Sequence, residues 1–412
     1  MLLHFGMKPV LIISSANAAC KIMKTHDMIF SDRPSLTMFR KLLYNCKDVA
    51  TAPYGDYWRR MRSICVNQLL SYNRVQAFHN VREEEIAHII KQIERSRTSV
   101  VNLSKMLSNF STDVICRAAF GMKFNGERDG IDFKELHEKH EELVGSINVG
   151  DFIPWLAWIN HVNGVEKNVK RVSRDMDRFL GRLVQEHMDM VDKIKGGNLG
   201  ADYENTRDFV DDMFVAGSTT TFTTLEWAMS ELLRNPSILE SLTKEVRGIT
   251  KAKPSITEND LQKMEYLKAV IKETFRLHPP VPLLLPRVSS QETQLHGYDI
   301  PARTQVIINA WAIHRDPTFW KEPEKFSPER FLNSGIDYKG QNFNLIPFGS
   351  GRRGCPGILF GIANLELVLA NLVQKFDWEL PERGELLDMV EHPGLSTHRN
   401  THLLAIATPY CS

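Results

Sequence analysis

The run Phe348-Gly349-Ser350-Gly351-Arg352-Arg353-Gly354-Cys355-Pro356-Gly357 concentrates reactive chemistry in this 412-residue chain. One cysteine sits among four glycines and two arginines, and an apolar helical segment, Ile358 to Val373, follows at once. Glycines let backbone approach closely and adopt positive φ. Their amides and the start of the next helix stabilise negative charge on sulfur. An arginine can hold a carboxylate with two parallel hydrogen bonds. Such a loop suits the presentation of a thiolate to a large planar metal cofactor. The plain alternative is an inert cysteine in a strand-to-helix turn.

Three other patterns carry chemistry. Trp58 and Arg62 stand at i and i+4, so a helix over that segment puts both on one face. Glu273 and Arg276 stand at i and i+3 on a segment that ends at His278-Pro279-Pro280. A buried pair of that kind needs a third partner, because desolvation otherwise exceeds the attraction. Pro328-Glu329-Arg330-Phe331 offers Arg330. The third pattern, Ala216-Gly217-Ser218-Thr219-Thr220-Thr221, lies inside a long helical segment. Its bland reading is hydroxyls bonding back to the preceding turn.

Phe348, Gly351, Arg353, Cys355 and Gly357 match F-x-x-G-x-R-x-C-x-G. Chance coincidence of these positions in a chain of this length is on the order of 10⁻⁴. With W-x-x-x-R, E-x-x-R and P-E-R-F in the same order, the chain resembles the cytochrome P450 family of haem-thiolate monooxygenases. Its texture, as in Asp212-Met213-Phe214-Val215-Ala216-Gly217 and Ile346-Pro347-Phe348-Gly349, is similar to the plant specialised-metabolism clan, including psoralen-synthase-like members. The resemblance implies a mainly α fold with small β-sheets, in one domain spanning residues 1–412. Haem b would lie between the dioxygen helix and the cysteine loop.

The same resemblance assigns roles. Cys355 would be the axial iron ligand, with Arg353, Phe348, Gly351 and Gly357 around it. Trp58, Arg62 and Arg287 would reach the haem propionates. Gly217 would leave room for dioxygen, and Thr220 would hydrogen-bond to it. Position 219, an acid in the family, is threonine here. Glu273, Arg276 and Arg330 would brace the cysteine loop. Phe214, Val215, Ser218, Leu283, Leu284, Leu285, Leu395 and Ser396 would line an apolar substrate cavity.

Elements must position these groups. Leu2–Phe5 and Pro9–Ile13 read as strands, and Ser15–Thr25 as a helix capped by Ser15. Leu70–Ser96 reads as one helix whose Arg82-Glu83-Glu84-Glu85 run is a solvated face. Val101–Phe120, Phe133–Ser146 and Val165–Lys195 follow as helices. His137 and His140 are expected on an exposed face rather than at a metal. Gly196–Gly200 is a break, and Thr206 caps the helix Arg207–Arg234. Two pieces fused at Asp211-Asp212 make the segment before the dioxygen helix short for the family. Helix Ile256–Leu277 precedes strands at 293–295, 298–300 and 305–310. His314 reads as a structural or propionate-side histidine.

Composition is globular, 42% hydrophobic and 25% charged, and a net charge of +1 suggests no nucleic-acid partner. Six scattered cysteines form no zinc or disulfide framework. No run of eighteen apolar residues stands out. Against the pattern of plant members the chain is expected to be N-terminally truncated, without their membrane anchor and proline-rich hinge. The resemblance implies a monomer on the cytosolic face of the endoplasmic reticulum membrane, with a cytosolic or peripheral place as the alternative for an anchorless form. The aromatic stretch Asp151–Trp158 is suited to a substrate entrance or to peripheral membrane contact.

Functionally the resemblance implies insertion of one oxygen atom of O2 into an apolar plant secondary metabolite, of coumarin or terpenoid class. Electrons would come from NADPH through a reductase docked on Arg59, Arg60, Arg352 and Lys375. The thiolate would push electron density onto iron and favour O–O cleavage. Two alternatives stand beside this. The missing acid at 219 fits a haem-thiolate isomerase or dehydratase that needs no external electrons. The short segment fits an inactive, haem-binding isoform.

Overall fold

A computed structural model describes residues 1–410 apart from 97–98, 122, 124–126, 129–130, 196–202, 252, 254–255 and 382–386; for some others, including 203–213 and 215, only the backbone is described. Helices dominate, and the sheets are small. Strands β1 (Leu2–Phe5) and β2 (Lys8–Ile13) form an antiparallel hairpin. Strand β2 then pairs in parallel with Gln305–Ile308, which takes Arg287–Val288 antiparallel on its other side. A second sheet joins Val100–Asn102, Leu404–Pro409 and Phe376–Glu379.

Seven helices build the frame around the site. They are α1 (Asp56–Cys65), α2 (Leu103–Phe120), α3 (Phe133–Gly145), α4 (Val165–Lys195), α5 (Tyr203–Arg234), α6 (Glu265–Leu277) and α7 (Ile358–Lys375). Helix α2 starts where the Asn102 side chain accepts from Lys105 N (2.9 Å) and stops at Gly121, whose φ is +70°. Its buried stripe of Leu103, Leu107, Phe110 and Val114 follows the helical period and packs along α5. Gly217 allows that approach, since a Cβ there would stand 2.5 Å from Ile115 Cδ1. Helix α7 is long and apolar enough to cross a membrane, yet most of it is buried against α5 and α6 as a core helix.

Several expectations change. Ser15 sits at the N-cap position in extended conformation, but its side chain makes no cap bond. The helix expected over Leu70–Ser96 is two, Tyr72–Ala77 and His79–Arg95, parted at Phe78. Arg82 and Glu85 are buried, not solvated. Arg82 donates to Val75 O (2.7 Å), and Glu85 pairs with Arg117 (2.6 Å) and Lys123 (2.8 Å). A charge run cannot reveal which of its members has a cation waiting on a neighbouring helix. The helix 256–277 is Glu258–Gln262 followed by α6. The break at Gly196–Gly200 lies outside the described residues; the α5 backbone starts at Tyr203 and runs unbroken through 211–212, so Thr206 lies within the helix rather than capping it.

Candidate active site

The cysteine loop is held from both sides. Gly349 and Gly351 have φ of +65° and +71°. A Cβ on Gly351 would also fall 2.1 Å from Met23 O, so only glycine lets the turn Gly351–Arg353 lie against that backbone. Cys355 N donates to Phe348 O (2.9 Å), closing the loop, and Gly357 N donates to Cys355 Sγ (3.3 Å) just ahead of α7. Phe348 packs edge-on against Phe275 of α6, with ring centroids 5.0 Å apart. Among the described cysteines, all free, Cys355 alone is exposed; its sulfur nevertheless sits deep among protein groups. Burial pushes its thiol up, against the opposing pull of the Gly357 amide and the Arg62 charge. A cation on that sulfur would reverse the shift.

The structure brings Glu273, Arg276 and Arg330 together. Arg276 grips Glu273 with Nε and Nη2, at 2.7 and 2.8 Å. Arg330 Nε reaches Glu273 Oε1 at 3.0 Å, and Ser327 N reaches the same oxygen at 2.8 Å. Both members of the first pair are fully buried. Arg276 Nη1 also donates to the carbonyl of His314 (3.0 Å). The His314 ring in turn accepts from Ile346 N (2.8 Å), two residues ahead of Phe348. Burial holds His314 down at about 3, so it is neutral and can accept there.

A cluster of arginines lies beside the loop. Arg353 donates to Ser31 O and Ala52 O (both 2.6 Å) and stacks over Trp58 at 4.3 Å. Arg287 donates to Ser350 O (3.0 Å), with Asp27 3.7 Å away. Arg62 donates to Gly354 O (2.7 Å), while the Trp58 indole N–H goes to Val49 O (2.9 Å). Sequence reading missed a further member, Arg33. It donates to Ala50, Leu285 and Pro286 carbonyls. No spacing rule marks it, because its neighbours come from distant segments. Burial, with Arg287 and Arg353 nearby, pulls Arg33 well down. Burial also brings Arg287 and Arg353 to about 10. Arg353 Nη1 is buried with no partner among the described residues.

Three crowded guanidiniums served largely by neutral carbonyls favour an anion. A haem with two carboxylates and a thiolate-seeking iron fits this donor set.

The opposing helix, α5, departs from expectation. Ala216 is exposed and Thr220 half-exposed, one turn apart on one face. Thr220 Oγ1 donates to Ala216 O (2.6 Å). Gly217 faces Ile115, so its missing side chain lets α5 pack closely on α2. Phe214 is fully buried against Phe179 and His137 and lines no cavity. Ser218 and Thr219 are buried too, and both touch His137. The Val215 side chain lies outside the described residues.

His137 and His140, expected on an exposed face, are both buried. Their helix has apolar partners on the flank that the surrounding glutamates and lysines seemed to claim for solvent.

Of the other expected cavity residues, Leu283 is 47% exposed and Leu284 and Leu285 are half-buried. Leu284 takes φ +48°. Leu395 is half-buried beside Gly145, and Ser396 donates to Glu141 Oε2 (3.1 Å). Burial raises the Glu141 carboxyl to about 7. The loop is pinned where Thr397 N donates to Pro280 O (3.0 Å) and Trp227 Nε1 donates to Thr397 O (2.8 Å).

A buried E-x-x-R triad, a braced glycine-rich cysteine loop and a helix with an open hydroxyl face define a haem-thiolate type of fold. The chain belongs to the cytochrome P450 family, whose model matches residues 1–406. Among plant relatives it is 50% identical to cytochrome P450 736A117 of Prunus mume, covering 100% of this chain and 84% of the relative. It is 48% identical to the (+)-menthofuran synthase of Mentha piperita, covering 99% and 86%. It is 46% identical to the norfluorocurarine oxidase of a Strychnos species, covering 97% and 84%. A zebra fish cytochrome P450 solved with progesterone superposes with a TM-score of 0.83 at 25% identity, over 100% of this chain and 96% of the other.

Proposed function

We propose that this plant-type P450 is a single-domain haem-thiolate monooxygenase for a small, largely apolar secondary metabolite, of coumarin or terpenoid class. The observation that carries the reading is the arginine cluster beside Cys355, with Arg353 Nη1 buried and without a partner among the described residues. Cys355 Sγ would bind the iron, and Arg33, Arg287 and Arg353 would hold the propionates. Trp58 would keep Arg353 flat by stacking, and Arg62 would hold the loop through Gly354 O. Haem, when bound, supplies the activation of dioxygen.

This chain's residues do the rest. The Gly357 amide and the start of α7 stabilise charge on sulfur. The Glu273–Arg276–Arg330 cluster fixes the loop through His314. Leu283, Leu284, Leu285 and Leu395 would exclude water and hold an apolar body. Thr220 Oγ1 would exchange its bond to Ala216 O for one into the cavity, holding a proton there. Electrons would come from NADPH through a reductase seated on Arg59, Arg60, Arg352 and Lys375. Family relatives support a place on the cytosolic face of the endoplasmic reticulum.

The test is the ferrous–carbon monoxide spectrum. A Soret band at the thiolate position is expected in the unsubstituted protein and is expected to vanish in Cys355→Ala. A band that survives that change sinks the ligand assignment. Turnover of hydroperoxides without NADPH or reductase would replace the monooxygenase reading with an isomerase or dehydratase.

A further inference from the structure

On α3, the buried His137 ring lies edge-on to Phe214 of α5, with centroids 6.4 Å apart and planes at 85°. Its Nε2 is hydrogen-bonded with Thr219 Oγ1 and lies 3.3 Å from Ser218 Oγ. The Ser218 proton is already committed, since that hydroxyl donates to Phe214 O at 2.6 Å. Ser218 can therefore only accept from His137, which it does when Nε2 carries the hydrogen. Burial, with His140 adding, holds His137 down at about 3, so the ring is neutral at physiological pH. One N–H thus serves two consecutive residues of α5. Thr219, the side chain next to Thr220, is tied to α3 instead of facing the site.

Consecutive helical residues advance by about 100°, so the Ser218–Thr219 pair lies roughly 130° round the helix from the Ala216–Thr220 pair. Fixing one pair fixes where the other points. Gly217, seated on Ile115, sets how close α5 lies to α2 but carries no side chain that could set its rotation. We propose that His137 is a positioning residue: its Nε2–H clamps Ser218 and Thr219 and so sets the rotation that leaves Ala216 and Thr220 on the open face of α5. The proposal rests on the haem-thiolate reading for what that face does, and on hydrogen-bond geometry alone for the clamp.

The test uses the holoprotein with carbon monoxide as probe, since its stretching band on ferrous haem responds to nearby hydroxyls. His137→Gln, whose amide nitrogen can donate from much the same place, is expected to keep the unsubstituted band. His137→Leu and Thr219→Val are each expected to shift it, and the double variant to shift it no further than either single one. An unmoved band in His137→Leu with the thiolate Soret intact overturns the proposal, as does a His137→Gln shift as large as that of His137→Leu. If His137→Leu does not fold, Thr219→Val carries the same comparison. Nitrogen-15 spectra of histidine-labelled protein supply a second readout. A neutral His137 protonated at Nε2 is expected, and protonation at Nδ1 instead overturns the clamp. Absence of a thiolate Soret in the unsubstituted protein would refute the functional reading alone and leave the tautomer test standing.

Discussion

His314 joins two parts of the site with one residue: its carbonyl accepts from Arg276 and its ring accepts from Ile346 N, at 3.0 and 2.8 Å. The charged E-x-x-R pair therefore reaches the cysteine loop through two hydrogen bonds, beside the direct Phe275–Phe348 packing of the same helix. His314→Ala would leave a buried amide unpaired, at a cost of about 1–3 kcal/mol. Glu273→Ala would strand two guanidiniums and cost about 3–5 kcal/mol. Expected outcomes are a lowered melting temperature for both and, for His314→Ala, loss of haem faster than loss of helix. Circular dichroism and Soret absorbance followed in one thermal scan separate the two. Coincident transitions would mean that His314 supports the whole core and not the loop in particular.

Arg353 and Arg33 make the second case. Each is served by neutral carbonyls, and Arg353 lowers Arg33's affinity for its proton while Arg287 lowers that of both. A bound dicarboxylate relieves that repulsion. Arg353→Met and Arg33→Met are each expected to speed haem transfer to excess apomyoglobin by roughly tenfold, the equivalent of one charge-assisted hydrogen bond. Arg353→Lys is expected not to restore retention, because an ammonium neither forks to two oxygens nor stacks on Trp58 in the same way. Retention unchanged in Arg33→Met would remove that residue from the propionate site.

Much of this was legible in the sequence for a physical reason: the cysteine loop, E-x-x-R and P-E-R-F depend on local spacing, and glycine and charge types at fixed spacing leave a pattern. Strands 293–295 and 298–300 fell where expected because turn residues bound them. Arg33 and the burial of His137, His140 and Glu85 were illegible, since each is decided by a partner far away in sequence. The cavity assignments on α5 failed for another reason. A run of small and hydroxyl residues carries no sign of which way the helix is turned; of the three, Phe214 and Ser218 face α3 and α4 instead, and the Val215 side chain lies outside the described residues.

Stability against pH follows from the buried histidines and Glu141. His137, His140 and His314 are held down at about 3, 4 and 3 by burial. Below the unfolded value near 6.5 the unfolded chain binds more protons, so stability falls as pH drops from there toward 3. Glu141, raised to about 7, works the other way. Its stabilising share is full below the unfolded value near 4.3 and is lost as pH rises through 7. Glu141→Gln is expected to remove that opposing share, so stability should climb more steeply with pH between about 4.3 and 6.5 and decline less toward 7, with the limb below 4.3 unchanged. Melting temperatures from pH 4 to pH 8 check it. An alkaline decline that persists in Glu141→Gln assigns it to another group.

The exposed aromatic stretch after α3 gives the last prediction. Trp155, Trp158 and Val162 are 65%, 60% and 76% exposed within a short run of turns. The β1–β2 turn is fastened to the same run, because Met7 N donates to Phe152 O (2.9 Å) and Gly6 abuts that carbonyl too closely for any side chain. Met7, 64% exposed, therefore adds to the same apolar surface. Tryptophans favour the interface between headgroups and acyl chains. Trp155→Ser with Trp158→Ser is expected to cut binding to neutral phospholipid vesicles by at least tenfold while the thiolate Soret band stays unchanged. Met7→Ser should weaken it by a smaller factor, because one flexible side chain buries less area than two indoles. Sedimentation with vesicles measures both. Equal binding by the double tryptophan variant would assign the stretch to the substrate entrance, and the two serines should then alter the affinity for apolar ligands in Soret titrations.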